Sequence, residues 1–108
     1  MRTVYFIDAN AAAKGTIGGL RDTLKIGDEV HIFGGVLPNR QKAEIKKIES
    51  NVTLHVAPVT QRQRVDFELI ALYAMYTAAE ANNKQMYVIS KNTQLLKTIE
   101  EMRSISCN

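Results

Sequence analysis

Two aspartates occupy places where a carboxylate is costly unless something meets it. Asp8 closes the apolar run TVYFI (3–7), and Asp66 stands at the head of the apolar stretch VDFELIALYAMYTAA (65–79). A charge at the end of a buried strand needs a metal, a cation or a set of N–H donors. For either residue alone, the simpler alternative is a capping role on nearby backbone N–H groups. Two carboxylates converging on one crevice are what a Mg²⁺ or Mn²⁺ site needs, because these hard cations select oxygen ligands. Glu68 follows Asp66 by two positions, roughly 200° around a helix, so it joins such a site only if the helix starts later.

Several other chemistries are absent. Gly15, Gly18 and Gly19 do not make G-x-G-x-x-G, and no G-x-x-x-x-G-K-[ST] occurs, so neither fingerprint for a bound nucleotide exists. His31 and His55 fall inside strand-like runs without a second His or Cys at ligand spacing, and read as ordinary strand residues. No nucleophilic triad is visible. Tyr73 and Tyr76 read as core rather than as a base-stacking platform, which needs exposed aromatics. The single cysteine, Cys107, cannot bridge within the chain, which excludes a disulfide framework and fits a reducing compartment. Fourteen Lys and Arg against eleven Asp and Glu give +3, and a pI near 9.1 mildly favours anionic partners such as nucleic acid. Arg40, Lys42, Lys46 and Lys47 cluster in one segment that reads as a solvated helix face, whereas Arg62 and Arg64 sit just ahead of Asp66.

The elements that must position these groups alternate in type. Residues 3–7, 29–33 (EVHIF), 52–56 (VTLHV) and 86–89 (MYVI) are short β-branched or aromatic runs that read as buried strands. Between them, Leu20, Leu24 and Ile26 predict a short helix ended by Gly27-Asp28. Asn39 caps a predicted helix over 39–50 with Ala43, Ile45 and Ile48 inward. Residues 65–81 are apolar enough to predict a largely buried helix, and Ser90-Lys91-Asn92-Thr93 opens a last helix carrying Leu95, Leu96, Ile99 and Met102. The order β-α-β-α-β-α-β-α implies a three-layer α/β/α sandwich with a four-stranded, mainly parallel sheet in order 3-2-1-4. With 108 residues, 45% of them hydrophobic, the chain has room for one core and is expected to be a single domain over 1–108. In such open sheets the ligand crevice lies at the carboxyl ends of the strands where the winding reverses. That point falls between strands one and four, where Asp8-Ala9-Asn10 would face Ser90-Lys91-Asn92.

Taken in order, YFIDAN, RVDFELIALY and YVISKNTQLLKTIEEM resemble the PIN-like nucleases, in particular the small stand-alone NYN and PIN-like proteins of bacteria. Those proteins carry a V-D-x-E-N-like first strand, a D-E-V-x-I-F second strand matched by residues 28–33, an Asp heading a long apolar helix matched by Asp66, and a strand ending in S-x-D. The resemblance spans most of the chain and implies a Rossmann-like fold. It also implies a ribonuclease that uses Mg²⁺ or Mn²⁺ for phosphodiester hydrolysis. Carried over, Asp8 and Asp66 would be metal ligands. The family's S-x-D reads Ser90-Lys91-Asn92 here, so the third carboxylate becomes an amide, and the Glu of the Glu-Asn pair is lost while Asn10 stands in for its Asn.

The thinned acidic set leaves two functional readings. One is an active, metal-dependent nuclease in which Asp8, Asp66 and Asn92 form the catalytic group while Asn10 and Ser90 orient water or phosphate. The other is a catalytically silent module that binds RNA, single-stranded nucleic acid or a protein partner, with Arg62, Arg64 and Lys91 on the phosphates. No apolar stretch approaches the roughly 20 residues of a membrane span, and the first residues carry no secretion signal, so a cytoplasmic address is expected. An edge position for VTLHV makes homodimerisation a natural expectation.

Overall fold

The structure is a computed structural model that describes residues 2–12, 15–35, 37–48, 52–56, 62–80 and 84–106. Its four strands, β1 (Arg2–Asp8), β2 (Glu29–Gly34), β3 (Val52–Val56) and β4 (Lys84–Ile89), form one sheet in the order β3-β2-β1-β4, with every pair parallel. The helices are α1 (Thr16–Gly19), α2 (Asn39–Lys46), α3 (Arg62–Glu80) and α4 (Thr93–Ser106). The sheet order and the α/β class are those expected from the alternation of strand-like and helix-like segments.

Alternation along β1 divides the core between the two faces of the sheet. Val4 and Phe6 point to one side, where with Phe33 of β2 they meet Val65, Leu69 and Tyr73 of α3 and Leu95 and Ile99 of α4. Tyr5 and Ile7 point to the other, where with Val30 and Ile32 they meet Ile17, Leu20, Leu37, Ile45 and Ile48. A central strand buried on both faces cannot alternate apolar with polar residues, which is why TVYFI reads as an unbroken apolar run. Each fully buried side chain of this size contributes about 1.5–3 kcal/mol.

Three expectations are corrected. The first helix is shorter and earlier than 20–26: α1 covers Thr16–Gly19 and a 3-10 turn follows over Leu20–Asp22. Leu20 is buried, but Ile26 is fully exposed at 106% of its reference area. It sits at the tip of a turn closed by Asp28 N–H on Lys25 O and by Lys25 N–H on the Asp28 carboxylate, with Gly27 at φ +93 supplying the left-handed residue. In α2 the inward positions are Gln41 and Ile45, continued by Ile48 beyond the helix end, whereas Ala43 is exposed. Positions 41, 45 and 48 share a helix face, and 43 lies roughly 200° from 41. Pro38, not Asn39, occupies the N-cap position.

The third correction concerns α3. It begins at Arg62, ahead of Val65, and it is covered on one face rather than largely buried. Val65, Leu69 and Tyr73 lie against the sheet, while Phe67 and Met75 on the opposite side are 67% and 66% exposed. A helix lying on a sheet has one layer beneath it, so apolar density along the sequence does not by itself give burial all round. Asp66 therefore sits one turn into α3 instead of at its first residue. Among the described residues, no helix is long and apolar enough to cross a membrane.

Candidate functional site

The register of the sheet builds the site. Ile7 of β1 is level with Ile89 of β4, so the next residues, Asp8 and Ser90, leave the sheet side by side where the winding reverses. Asp8 is only 2% exposed. One carboxylate oxygen accepts Asn10 N–H at 3.1 Å, capping the 3-10 turn over Ala9–Ala11, and the other accepts the Ser90 hydroxyl at 3.0 Å. The same hydroxyl oxygen accepts Asn92 N–H at 2.9 Å. The capping role and the site role of Asp8 thus coexist, on different oxygens.

Asn92 joins the second carboxylate to this group. Its Oδ1 accepts Gln94 N–H at 3.1 Å and Leu95 N–H at 3.2 Å, which makes it the side-chain cap of α4. With the oxygen spent on the helix end, the amide nitrogen faces the cleft and donates to Asp66 Oδ2 at 3.4 Å. Asn92 consequently offers the cleft a donor, not a ligand oxygen. Burial and the neighbouring Asp8 carboxylate push the Asp66 carboxyl above its ordinary value.

Asp8, Asp66 and Asn92 form one wall of a cleft of about 480 Å³ that Asn10 also lines, whereas Ser90 supports Asp8 from outside the lining. The opposite wall is the start of α2, with Pro38, Arg40 and Gln41. Gln41 is buried, and its side-chain amide donates to Ala9 O at 2.8 Å, tying the first turn of α2 to the loop that carries Asp8. Close approach at the end of β2 requires Gly34: a Cβ there would meet Leu37 Cδ2 at 3.0 Å and Ala9 Cβ at 3.2 Å.

The structure brings Asp8, Asn10, Asp66, Ser90 and Asn92 together as expected from the strand order. Lys91 is exposed and is not part of the cleft wall. Arg62 and Arg64 open α3, but their side chains lie outside the described structure, as does Cys107. Glu68 is also outside the cleft wall, and its charge acts on His55. Among the described residues no ion pair joins a Lys or Arg to Asp8 or Asp66, and no group of three or more His, Cys, Asp or Glu side chains is placed to hold a metal. The charged oxygen donors that line the cleft are two carboxylates, Asp8 and Asp66. This pair fits Mg²⁺, which keeps several waters and binds proteins through one or two carboxylates.

Sequence reasoning missed two features. Arg40 reads from sequence as part of a solvated helix face and Gln41 carries no reading, whereas both line the cleft; the only sequence signal is their place in the first turn after Leu37-Pro38-Asn39. The second is a polar network under α3, away from the cleft. Tyr76 O–H donates to Glu29 Oε2 at 2.8 Å, His31 Nε2 lies 3.0 Å from the same oxygen, and Arg2 pairs with Glu29 Oε1 at 2.9 Å. His31 Nδ1 lies 3.1 Å from His55 Nε2, and the His55 ring stacks on Phe33 with centroids 4.4 Å apart. A carboxylate only accepts, so His31 carries its proton on Nε2, and in the neutral ring Nδ1 accepts from His55. Burial raises Glu29, but the His31 and Tyr76 hydrogen bonds and the Arg2 charge outweigh it, leaving its carboxyl below the ordinary value. Burial and then the neighbouring His31 hold His55 below its ordinary value, against the opposing pull of Glu68. The period-2 placement of Glu29, His31 and Phe33 on one strand face was the available signal.

Comparison of the chain with known protein families, with curated proteins and with solved structures finds no match.

Proposed function

We propose that this protein is a PIN-like, Mg²⁺- or Mn²⁺-dependent ribonuclease that hydrolyses phosphodiester bonds in the cleft between β1, α3 and α2. The observation that carries the reading is the pair Asp8 and Asp66, which share one solvent-open cleft without a Lys or Arg paired to either among the described residues. Two carboxylates held in this way are short of positive charge, and a divalent cation supplies it. Asp8 and Asp66 would hold the cation. Ser90 aims the Asp8 carboxylate, Asn92 steadies Asp66, and Asn10, which lines the same cleft, would orient water or phosphate. When bound, such a cation lowers the pKa of a water and steadies charge on the phosphate.

Calorimetric titration of Mg²⁺ and Mn²⁺ into wild type and Asp8→Asn, followed by incubation with labelled single-stranded RNA, tests this. Binding that Asp8→Asn removes, together with metal-dependent cleavage, is the expected result. Absence of binding at millimolar metal would overturn it.

A second reading is favoured by one observation: the amide of Asn92 faces the cleft where the resemblance has a carboxylate. On that reading the domain is a silent module that holds RNA, single-stranded nucleic acid or a protein partner, with Arg62, Arg64 and Lys91 on the phosphates. It would hold RNA in EDTA with a steep salt dependence. β3 is an edge strand of the sheet, and a homodimer would pair along it or along a helix face.

A further inference from the structure

The cleft has two electrically different walls. On one side are Asp8 and Asp66; on the other, among the described residues, Arg40 is the only cation. Lys42, Lys46 and Lys47 are exposed on or just beyond the same helix but do not line it. No carboxylate among the described residues pairs with Arg40. Its mounting is also fixed: the adjacent Gln41 is 6% exposed and bonded to Ala9 O at 2.8 Å, so the first turn of α2 cannot shift without the loop behind Asp8. A guanidinium with no carboxylate partner among the described residues, carried on an anchored turn across the cleft from two carboxylates, is a fork for a phosphate that the carboxylates do not themselves engage.

We infer that Arg40 binds the phosphate adjacent to the scissile one, so the substrate is a polynucleotide extending at least one nucleotide past the cut on the α2 side. The inference builds on the proposed phosphodiester cleavage, and it adds a requirement that this cleavage does not contain. A diester with only the scissile phosphate has nothing for Arg40 to hold, whereas an oligonucleotide does.

The test compares wild type, Arg40→Ala and Arg40→Lys on two substrates with Mn²⁺: a short single-stranded oligoribonucleotide and bis(p-nitrophenyl) phosphate, which has no second phosphate. Arg40→Ala should lower kcat/KM on the oligonucleotide about tenfold, chiefly through KM, and leave the small diester unchanged. Arg40→Lys should restore part of the loss, keeping the charge without the fork. In EDTA, affinity of Arg40→Ala for the same oligonucleotide should fall similarly, and the slope of log K against log salt should shrink by about 0.7. The EDTA measurement needs no cleavage, so it judges Arg40 even if wild type cuts neither substrate and the nuclease reading fails. Equal losses on both substrates, or an unchanged salt slope in EDTA, would overturn the inference. Because Arg40 is exposed, an unchanged melting temperature will separate these results from misfolding.

Discussion

Replacing Asn92 by Asp restores a third carboxylate at the cleft and exposes the electrostatics of the site. The new side chain keeps the helix cap, since one carboxylate oxygen can still accept Gln94 and Leu95 N–H. The other takes the place of an amide nitrogen now 3.4 Å from Asp66 Oδ2, so a donor becomes a like charge. Two unit charges about 4 Å apart repel by ~4 kcal/mol at an effective dielectric of ~20 and by ~1 kcal/mol in bulk water. Asp66 is half-buried and the cleft is open, so screening brings the penalty down to ~1–2 kcal/mol near neutral pH. In EDTA, Asn92→Asp should therefore melt ~4–8 °C below wild type for each kcal/mol lost. A dication feels the added carboxylate with twice the charge and the opposite sign, a gain of at least ~2 kcal/mol, or roughly 30-fold in Kd. Calorimetric Mn²⁺ titrations and thermal melts with and without metal read both effects. The variant should be the less stable form in EDTA and the tighter binder of Mn²⁺. Asn92→Ala serves as the control: it loses the cap, at ~1 kcal/mol, without any gain in metal binding. If Asn92→Asp binds Mn²⁺ no more tightly than wild type while remaining folded, the placement of residue 92 against Asp66 is wrong.

Three further predictions follow from the same geometry. Ser90→Ala removes a donor from the buried Asp8 carboxylate and an acceptor from Asn92 N–H; it should cost ~1–3 kcal/mol in urea unfolding and weaken metal binding, and a neutral result would refute the bridging role. Gly34→Ala puts a methyl 3.0 Å from Leu37 and 3.2 Å from Ala9, so a loss of ~1–3 kcal/mol is expected; an unchanged melting temperature would show that the end of β2 is not in close approach to Leu37 and the Ala9 turn. Acidification from pH 7.5 to 5.5 should destabilise the fold: the folded pKa of His55 lies below its unfolded value of 6.5, so the unfolded chain takes up the proton first and stability falls as pH drops through that value. Glu29, also held low, adds its loss further down, as pH falls through the carboxylate range, while Asp66, held high, gives stability back there. Urea midpoints for wild type and His55→Gln separate the histidine part, and a wild-type midpoint that rises between pH 7.5 and 5.5 would contradict the assigned sign.

Much of the site is legible in the sequence. Runs such as TVYFI and MYVI are apolar on both faces, and only a parallel sheet covered by helices on both sides buries such runs. Alternation with helical segments then leaves few windings, and the one with β1 central brings Asp8 level with Ser90. Asp66 heads the long apolar stretch, so its helix crosses the same end of the sheet. The weaker expectations failed where one-dimensional patterns are silent about depth. Ile26 fits helical spacing from Leu20 yet lies on a turn, because the backbone bonds of Lys25 and Asp28 close the chain there. Phe67 and Met75 are as apolar as Leu69 but face away from the sheet.

From the sequence alone came the α/β alternation, the strand order and the meeting of Asp8 with Asp66, Ser90 and Asn92. These follow from hydrophobic periodicity and chain connectivity, which are local properties. Tertiary structure decided which atom of each side chain faces the cleft and what stands opposite. That the Asn92 oxygen is spent on α4 and its nitrogen turned to Asp66, that Arg40 lines the cleft, and that Glu29, Tyr76, His31 and His55 form one network all depend on side chains from elements far apart in the chain. Hydrogen-bond direction and charge placement are set by three-dimensional neighbours, and spacing along one chain does not encode them.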